Sequence, residues 1–92
     1  MSNEPRFSLG QLVATPEALG VLRAANVTPA SLVARHATGD WGSICDEDRG
    51  LNEQAIKDGS RILSVYEVGD ESLWVITEAD RSSTCVLLAS QY

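Results

Sequence analysis

The chain is poor in basic and metal-binding side chains, and each shortage excludes a class of function. Only seven of its 92 residues are lysine or arginine against thirteen aspartates and glutamates, which leaves a formal net charge of −6. Because lysine and arginine supply most of the affinity for a phosphate backbone, direct nucleic-acid binding is not expected. Two cysteines and one histidine are too few for a structural zinc site.

Long apolar runs are also missing. No stretch approaches eighteen apolar residues, so no transmembrane helix is expected. The first residues, Met1 to Arg6, lack the basic start and apolar centre of a secretory signal, which predicts a cytoplasmic protein without disulfides. With 43% apolar and 22% charged residues, the chain is expected to form a single domain over 1–92, with 1–7 flexible.

Enzyme motifs are absent from the sequence as well. It has no Gly-rich phosphate loop, no Ser-His-Asp set and no paired metal-binding histidines. An enzyme would have to work with carboxylates alone. We therefore expect no catalytic residue, no cofactor and no metal.

Charge is divided along the chain. Residues 40–80 hold eleven of the thirteen carboxylates and only three basic side chains, a net of −8, whereas the remaining residues carry +2. A domain this small cannot bury so many carboxylates. The folded surface is therefore expected to carry an acidic field, which repels nucleic acid and attracts basic protein surfaces.

Two Thr-Pro pairs predict the starts of two short helices. Thr15 and Thr28 suit the N-cap, and the proline after each suits the first helical position, where its missing N–H costs nothing. A third helix is expected from about residue 43–46 to Asp58, followed by a terminating glycine. Helical spacing places Leu51 and Ala55 on its inner face.

The last third of the chain is strand-like. Three runs rich in branched and aromatic residues predict strands over 61–68, 73–78 and 84–89. Their short connections force antiparallel neighbours. In the middle strand Trp74 alternates with Leu73 and Val75, so one face should meet the helices, with the other partly covered or offered to a partner.

The expected fold class is α+β: two or three short N-terminal helices packed on a C-terminal three-stranded antiparallel meander. A short N-terminal strand within residues 8–14 is an optional addition. This segment and the third strand could each leave an unpaired sheet edge, so both a monomer and a homodimer are open.

His36 and Cys45 invite comparison with a nucleophilic pair oriented by Asp40. A reactive thiolate needs a positive environment, whereas three acids follow Cys45 directly. The favoured interpretation is a packed or solvent-facing histidine near a helix C-terminus, where the helix dipole favours the protonated form. Both cysteines are expected to be small, partly buried thiols.

Two acidic clusters each allow a functional and a structural interpretation. Residues 46–48 with Glu53 could ligate a divalent cation, but they lack the alternating calcium-loop pattern, and acids at a helix start complement its dipole. In 78–82, Arg81 could recognise a carboxylate or phosphate. The favoured alternative is that Asp80 accepts backbone N–H bonds while Arg81 pairs with Glu78.

Four segments carry a further pattern: 9–16, 35–42, 59–66 and, most specific, 74–82. Together they resemble a family of short bacterial proteins of plasmids, prophages and integrated elements, labelled plasmid-related. Some members carry a label as type I restriction methyltransferase subunits. A methyltransferase needs a Gly-rich cofactor loop and an Asn-Pro-Pro-type motif, which this chain lacks. The resemblance therefore implies a mobile-element setting and supplies no catalytic residues.

Mobile elements commonly encode small acidic proteins that occupy the nucleic-acid channels of CRISPR effectors or restriction enzymes. The sequence therefore predicts a non-enzymatic interaction protein, an anti-CRISPR or anti-restriction inhibitor, that binds a basic surface of such a host protein. The alternative is a small accessory enzyme or ligand-binding domain with a pocket around Trp41, Trp74 and Arg81. The candidate partner-binding residues are Asp40, Trp41, Asp46, Glu47, Asp48, Glu53, Glu67, Asp70, Glu71, Trp74, Glu78, Asp80 and Arg81.

Overall fold

Helices occupy the first two thirds of the chain and strands the last third, with one short strand before the first helix. The computed structural model describes residues 4–92, and residues 1–3 of the segment expected to be flexible lie outside that range. The elements are β1 (Gln11–Ala14), α1 (Pro16–Ala24), α2 (Pro29–Ala37), α3 (Asp46–Asp58), β2 (Ile62–Val68), β3 (Glu71–Thr77), β4 (Ser83–Leu88) and a 3₁₀ turn (Ala89–Gln91).

The strands form one mixed sheet in the order β1-β4-β3-β2. Strands β2, β3 and β4 are antiparallel neighbours, as expected, with Ile62 opposite Thr77 and Leu73 opposite Leu88. The optional N-terminal strand within residues 8–14 is present as β1. It pairs in parallel with β4, Val13 lying opposite Cys85, so the three-stranded antiparallel meander is corrected to a four-stranded mixed sheet. Strands β1 and β4 are about seventy residues apart in the sequence, so no local pattern predicts their pairing. The hairpins are predictable because short turns connect their strands.

The predicted helix starts are confirmed. The Oγ1 atom of Thr15 accepts a 3.1 Å hydrogen bond from the N–H of Ala18, and that of Thr28 accepts one of 3.2 Å from Ser31. Each threonine thereby satisfies one of the backbone donors that a helix leaves unpaired at its start. Helix α3 ends at Gly59, whose φ of +82° is the left-handed geometry expected of a C-terminal glycine.

Helices α1 and α2 cover one face of the sheet, here called the inner face. Leu22 and Leu32 pack with Tyr66, Leu73 and Val75 of the strands, and all five side chains are buried. A second cluster of Trp41, Ala55 and Ile62 lies where α3 meets the beginning of β2. The core thus lies on the inner face. The opposite, outer face carries Leu63, Val65, Trp74, Ile76, Cys85 and Leu87, which belong to neither cluster.

The edge of the sheet at β2 is covered by polar groups of the preceding segment. The backbone of Val65 donates to the carbonyl of Trp41 at 3.1 Å and accepts from the N–H of Ser43 at 2.7 Å. The side chain of Asn52 pairs with both backbone groups of Leu63, at 2.7 and 3.2 Å. These bonds occupy backbone groups that would otherwise be open to another strand.

Candidate partner-binding surface

The acids proposed as partner-binding residues divide between two ends of the sheet. Helix α3 leads directly into β2 and returns alongside it, and Arg49 in its first turn donates to the carbonyl of Gly42, which is bridged to Val65. The start of α3 therefore lies beside β2 near Val65, whereas Asp70 and Glu71 lie at the turn between β2 and β3. Glu78 and Asp80 lie at the opposite end, in the turn between β3 and β4. The acids do not form one continuous face.

Asp40 belongs to the structural framework. Its carboxylate accepts a 2.6 Å hydrogen bond from Nε of Arg35, and this bond lowers the pKa of Asp40 below its usual range. The carbonyl of Asp40 accepts a 2.6 Å bond from the hydroxyl of Tyr66, whose pKa burial raises to about 12. The guanidinium of Arg35 also lies 4.5 Å from the centre of the Tyr66 ring. Asp40 thus joins α2 to β2.

Glu53 also has partners within the domain. It accepts two hydrogen bonds from the guanidinium of Arg6, at 2.7 and 3.0 Å, and one of 3.2 Å from the indole N–H of Trp41. The bond to Arg6 is the largest cause of the lowered pKa of Glu53. A paired carboxylate offers a basic partner less than an unpaired one, because its own cation must first be displaced.

Trp41 is buried, not presented to a partner. Its side chain is 2% exposed and stacks on Phe7, with ring centres 6.2 Å apart. The prediction that Trp41 is a partner-binding residue is therefore corrected, because a partner could reach the buried ring only by opening the core.

The residues proposed to line a pocket surround a side chain instead of a cavity. The ring of Phe7 lies 5.3 Å from the ring of His36 and 5.7 Å from the guanidinium carbon of Arg81, and it stacks on Trp41. Trp74 lies on the other face of the sheet. Phe7 therefore fills the space in which the three groups converge, and the N-terminal segment is docked from Arg6 onward.

Arg81 closes the end of α3. Its guanidinium donates to the carbonyl of Ala55 at 2.9 Å and to that of Ser60 at 2.7 Å. It reaches the backbone carbonyl of Glu78, at 3.2 Å, so the predicted pairing with the Glu78 carboxylate is wrong. Asp80 accepts a 3.0 Å bond from the N–H of Ser82, as predicted, and bonds to Ser82 lower its pKa.

His36 is fully buried in a chain of hydroxyl groups. Its Nδ1 atom lies 2.6 Å from Oγ of Ser64 and its Nε2 atom 2.9 Å from Oγ1 of Thr77. Burial lowers the pKa of His36 to about 4, so the ring is neutral near neutral pH. The expected protonated form is wrong because desolvation outweighs the helix dipole. With both nitrogens bonded to hydroxyls, His36 is not paired with the exposed Cys45.

Several acids have no partner in the part of the chain that the structure describes. Asp46 is 3.7 Å from Arg49, and Glu67 accepts bonds of 2.9 Å from the hydroxyl of Ser72. Five carboxylate side chains have no hydrogen bond or ion pair to residues 4–92: those of Glu47, Asp48, Asp70, Glu71 and Glu78. These five retain exposed charge that a cationic partner could meet.

The outer face of the sheet also carries a carboxylate, that of Glu67. Trp74 lies between Val65 and Leu87 on that face, and the next pair on the same face is Glu67 with Ser72. Tyr92 packs on Trp74 with ring centres 4.7 Å apart. The guanidinium carbon of Arg61 lies 5.6 Å from the centre of the Tyr92 ring. The result is an aromatic pair on an apolar surface, flanked by this cation and by the carboxylate of Glu67.

A groove of about 200 Å³ continues this surface between α3 and β2. Asp48, Leu51, Asn52, Arg61 and Leu63 line it. Leu51 is 61% exposed, so its predicted place on the inner face of α3 is wrong. The helix lies beside the edge of the sheet instead of over it and turns Asn52 and Ala55 inward. We call Glu47, Asp48, Leu51, Glu67 and Trp74 the acid-rimmed surface.

Residues 4–92 contain neither a metal-type side-chain cluster nor a membrane-spanning helix. Within residues 4–92, no three histidine, cysteine, aspartate or glutamate side chains gather so as to hold a metal ion. None of the described helices is long and apolar enough to cross a membrane. Comparisons with protein-family models, curated proteins and solved structures find no match to this chain.

Sequence reasoning overlooked two residues of this region. Helical spacing predicts an inner position for Leu51, which is exposed, and no sequence pattern indicates that Tyr92 packs on Trp74. The available signal was the composition around Leu51: three charged residues and a glycine precede it and three polar or charged residues follow it, which gives α3 little apolar surface. No comparable local signal places Tyr92 on the sheet.

Proposed function

We propose that this chain is a non-enzymatic interaction protein that binds a basic surface of a nucleic-acid-handling protein through the acid-rimmed surface. The observation that carries the proposal is that Glu47 and Asp48, unpaired by the described residues, adjoin the exposed Leu51. Protein interfaces combine an apolar centre with a polar rim, and this surface has both parts.

The arrangement favours binding over catalysis. Exposed carboxylates attract a basic partner over several ångströms and raise the rate of encounter, while Trp74 and Leu51 supply apolar area to be buried on contact. The groups that could have formed a reactive site have other partners: His36 is bonded to two hydroxyls and Arg81 to backbone carbonyls. Glu53 is likewise engaged, with Arg6.

The class of partner follows from charge and from the resemblance to mobile-element proteins. A basic channel built for nucleic acid is the complement of an exposed acidic surface. An inhibitor of the anti-CRISPR or anti-restriction kind would place its carboxylates where phosphates otherwise lie. The proposed partner is therefore a CRISPR effector or a restriction enzyme of the host.

Affinity capture from a host that carries CRISPR and restriction systems tests this function. We expect a nuclease or effector subunit to be retained at low salt and released at high salt, because exposed charge contacts are screened. Recovery of no such subunit at low salt contradicts the proposal. If the captured subunit is retained equally at low and high salt, charge mimicry is not the mechanism.

A pair of charge-matched variants locates the surface. Asp48→Lys should weaken the captured complex about tenfold or more, because it places a cation against a basic partner. Glu78→Lys makes the same charge change in the turn between β3 and β4, outside the acid-rimmed surface, and should leave the affinity nearly unchanged. Equal losses from the two variants would show that only net charge matters. Thermal melting confirms that both variants fold.

A further inference from the structure

Strand β1 leaves one edge of the sheet open. The N–H groups of Gln11 and Thr15 donate to carbonyls of Ser82 and Val86, each at 3.0 Å. Because alternate residues of a strand point to opposite sides, the backbone groups of Leu12 and Ala14 point away from β4. No described residue hydrogen-bonds to them. The β2 edge is covered, and the β1 edge is not.

This edge carries no charge. Three segments contain no aspartate, glutamate, lysine, arginine or histidine: 7–16, 24–34 and 82–92. They supply β1, the first half of α2 and β4, which adjoin one another in the fold. Open strand edges are commonly guarded by charged residues, which deter pairing with another chain. The β1 edge lacks that protection, although the chain carries thirteen carboxylates elsewhere.

We propose that the β1 edge is the interface of a homodimer, in which β1 pairs antiparallel with β1 of a second copy about a two-fold axis at Val13. Leu12 then lies opposite Ala14 of the partner subunit, and Ala14 opposite Leu12 of the partner subunit. The two pairs form about four backbone hydrogen bonds. The pattern is self-complementary, as a two-fold interface requires.

The side chains fit the same pairing. Leu12 is 54% exposed and Val13 41% exposed, and a groove of about 180 Å³ runs beside them. The groove is lined by Leu12, Val13, Ala14, Pro29, Ala30, Val33 and Val86. A leucine placed opposite the small Ala14 can extend into the partner's groove. Val13 meets its own symmetry mate on the outer face.

Charge favours a second copy over other occupants. A chain with a net charge of −6 can approach itself closely only where carboxylates are absent, and the β1 edge is such a place. The acidic start of α3 lies at the β2 edge, three strands away. The dimer is an eight-stranded sheet with an acid-rimmed surface at each end, and it does not depend on the identity of the partner proposed above.

Charge swapping at Val13 tests the pairing and its register. Sedimentation equilibrium should give twice the chain mass of 9.9 kDa for the wild type. Val13→Lys and Val13→Glu should each weaken the dimer about tenfold or more, because like charges face each other at the axis. An equimolar mixture should restore a one-to-one heterodimer. Leu51→Lys, at an exposed site on α3, should leave the mass unchanged.

Three results would overturn the proposal. One is a wild type that stays monomeric up to about 1 mM, where association is too weak to matter. Another is a dimer that survives both Val13 variants, which would place its interface elsewhere. The third is a mixture that stays monomeric although each variant melts like the wild type, since the register would then be wrong or the edge would take a different strand.

Discussion

The Nε2 atom of His36 donates a hydrogen bond to Oγ1 of Thr77. The direction of this bond is set by the backbone carbonyl of Leu9, at the other end of a chain of hydroxyl groups. Thr84 donates its hydroxyl to the carbonyl of Leu9 at 2.8 Å. The Thr84 oxygen, 2.7 Å from that of Thr77, therefore accepts from Thr77. Thr77 in turn accepts from His36. The neutral ring thus carries its proton on Nε2, and its Nδ1 atom accepts from Ser64.

This arrangement predicts that the fold loses stability as the pH falls from 6.5 towards 4. Unfolded His36 takes up a proton near its ordinary pKa of 6.5, whereas burial lowers the folded pKa to about 4. The unfolded chain binds more protons throughout this window. The contribution of neutral His36 to stability should therefore be fully present above pH 6.5. Between pH 6.5 and pH 4 the free energy of unfolding should fall by on the order of 3 kcal/mol. Urea denaturation across the window measures it.

The carboxylates of Asp40 and Glu53 affect stability in a lower pH range than His36 does. Arg35 and Arg6 lower the pKa values of Asp40 and Glu53 from 3.8 and 4.5, so the stability from these pairs is lost only as the pH falls further. The control is an NMR titration of His36, which is the only histidine in the chain. A folded-state pKa near 6.5, or a proton resident on Nδ1, would contradict the assignment.

Thr77→Val should be costly although it keeps the shape of the side chain. The valine cannot accept the Nε2 proton of His36, which is left buried without a partner. The expected loss is about 1–3 kcal/mol of the free energy of unfolding, measured by urea denaturation at neutral pH. Thr38→Val makes the same change at an exposed site and should cost less than about 0.5 kcal/mol. Similar losses would refute a special role for the buried chain of hydroxyls.

Asn52→Ala should open the β2 edge. The substitution removes both bonds to the backbone of Leu63, and we expect it to lower the free energy of unfolding by about 1–3 kcal/mol. Hydrogen exchange of the Leu63 amide should accelerate more than that of its neighbours. Gln54→Ala, at an exposed position of the same helix, is the control. An unchanged exchange rate at Leu63 would show that the side chain does not protect this edge.

Two substitutions at Arg81 separate the contribution of its side-chain hydrogen bonds to stability from the cost of its backbone conformation. Its φ of +59° is unfavourable for any residue with a Cβ atom, so Arg81→Gly relieves strain that Arg81→Ala retains. Both variants lose the bonds to Ala55 and Ser60 and should be less stable than the wild type. The glycine variant should melt above the alanine variant by a difference worth about 1 kcal/mol. An alanine variant as stable as the wild type would remove Arg81 as the closing group of α3.

Much of the secondary structure could be predicted because its causes are local. Thr15 and Thr28 each cap the following helix by accepting a hydrogen bond from the N–H three residues later. Gly59 ends α3 because glycine readily adopts the left-handed φ found there. The candidate site was less predictable. Asp40 and Glu53 resemble the other acids in the sequence, and only the fold reveals that Arg35 and Arg6 reach them.

The sequence by itself determined where α1 and α2 begin, where α3 ends and how much acidic charge the chain carries, because caps and formal charges depend on the residues themselves and their neighbours. Only the tertiary structure decided that β1 lies beside β4, that Phe7 fills the space near His36, and that Leu51 faces solvent. These are contacts or orientations between segments distant along the chain. Their energies depend on packing in three dimensions, which local patterns do not record.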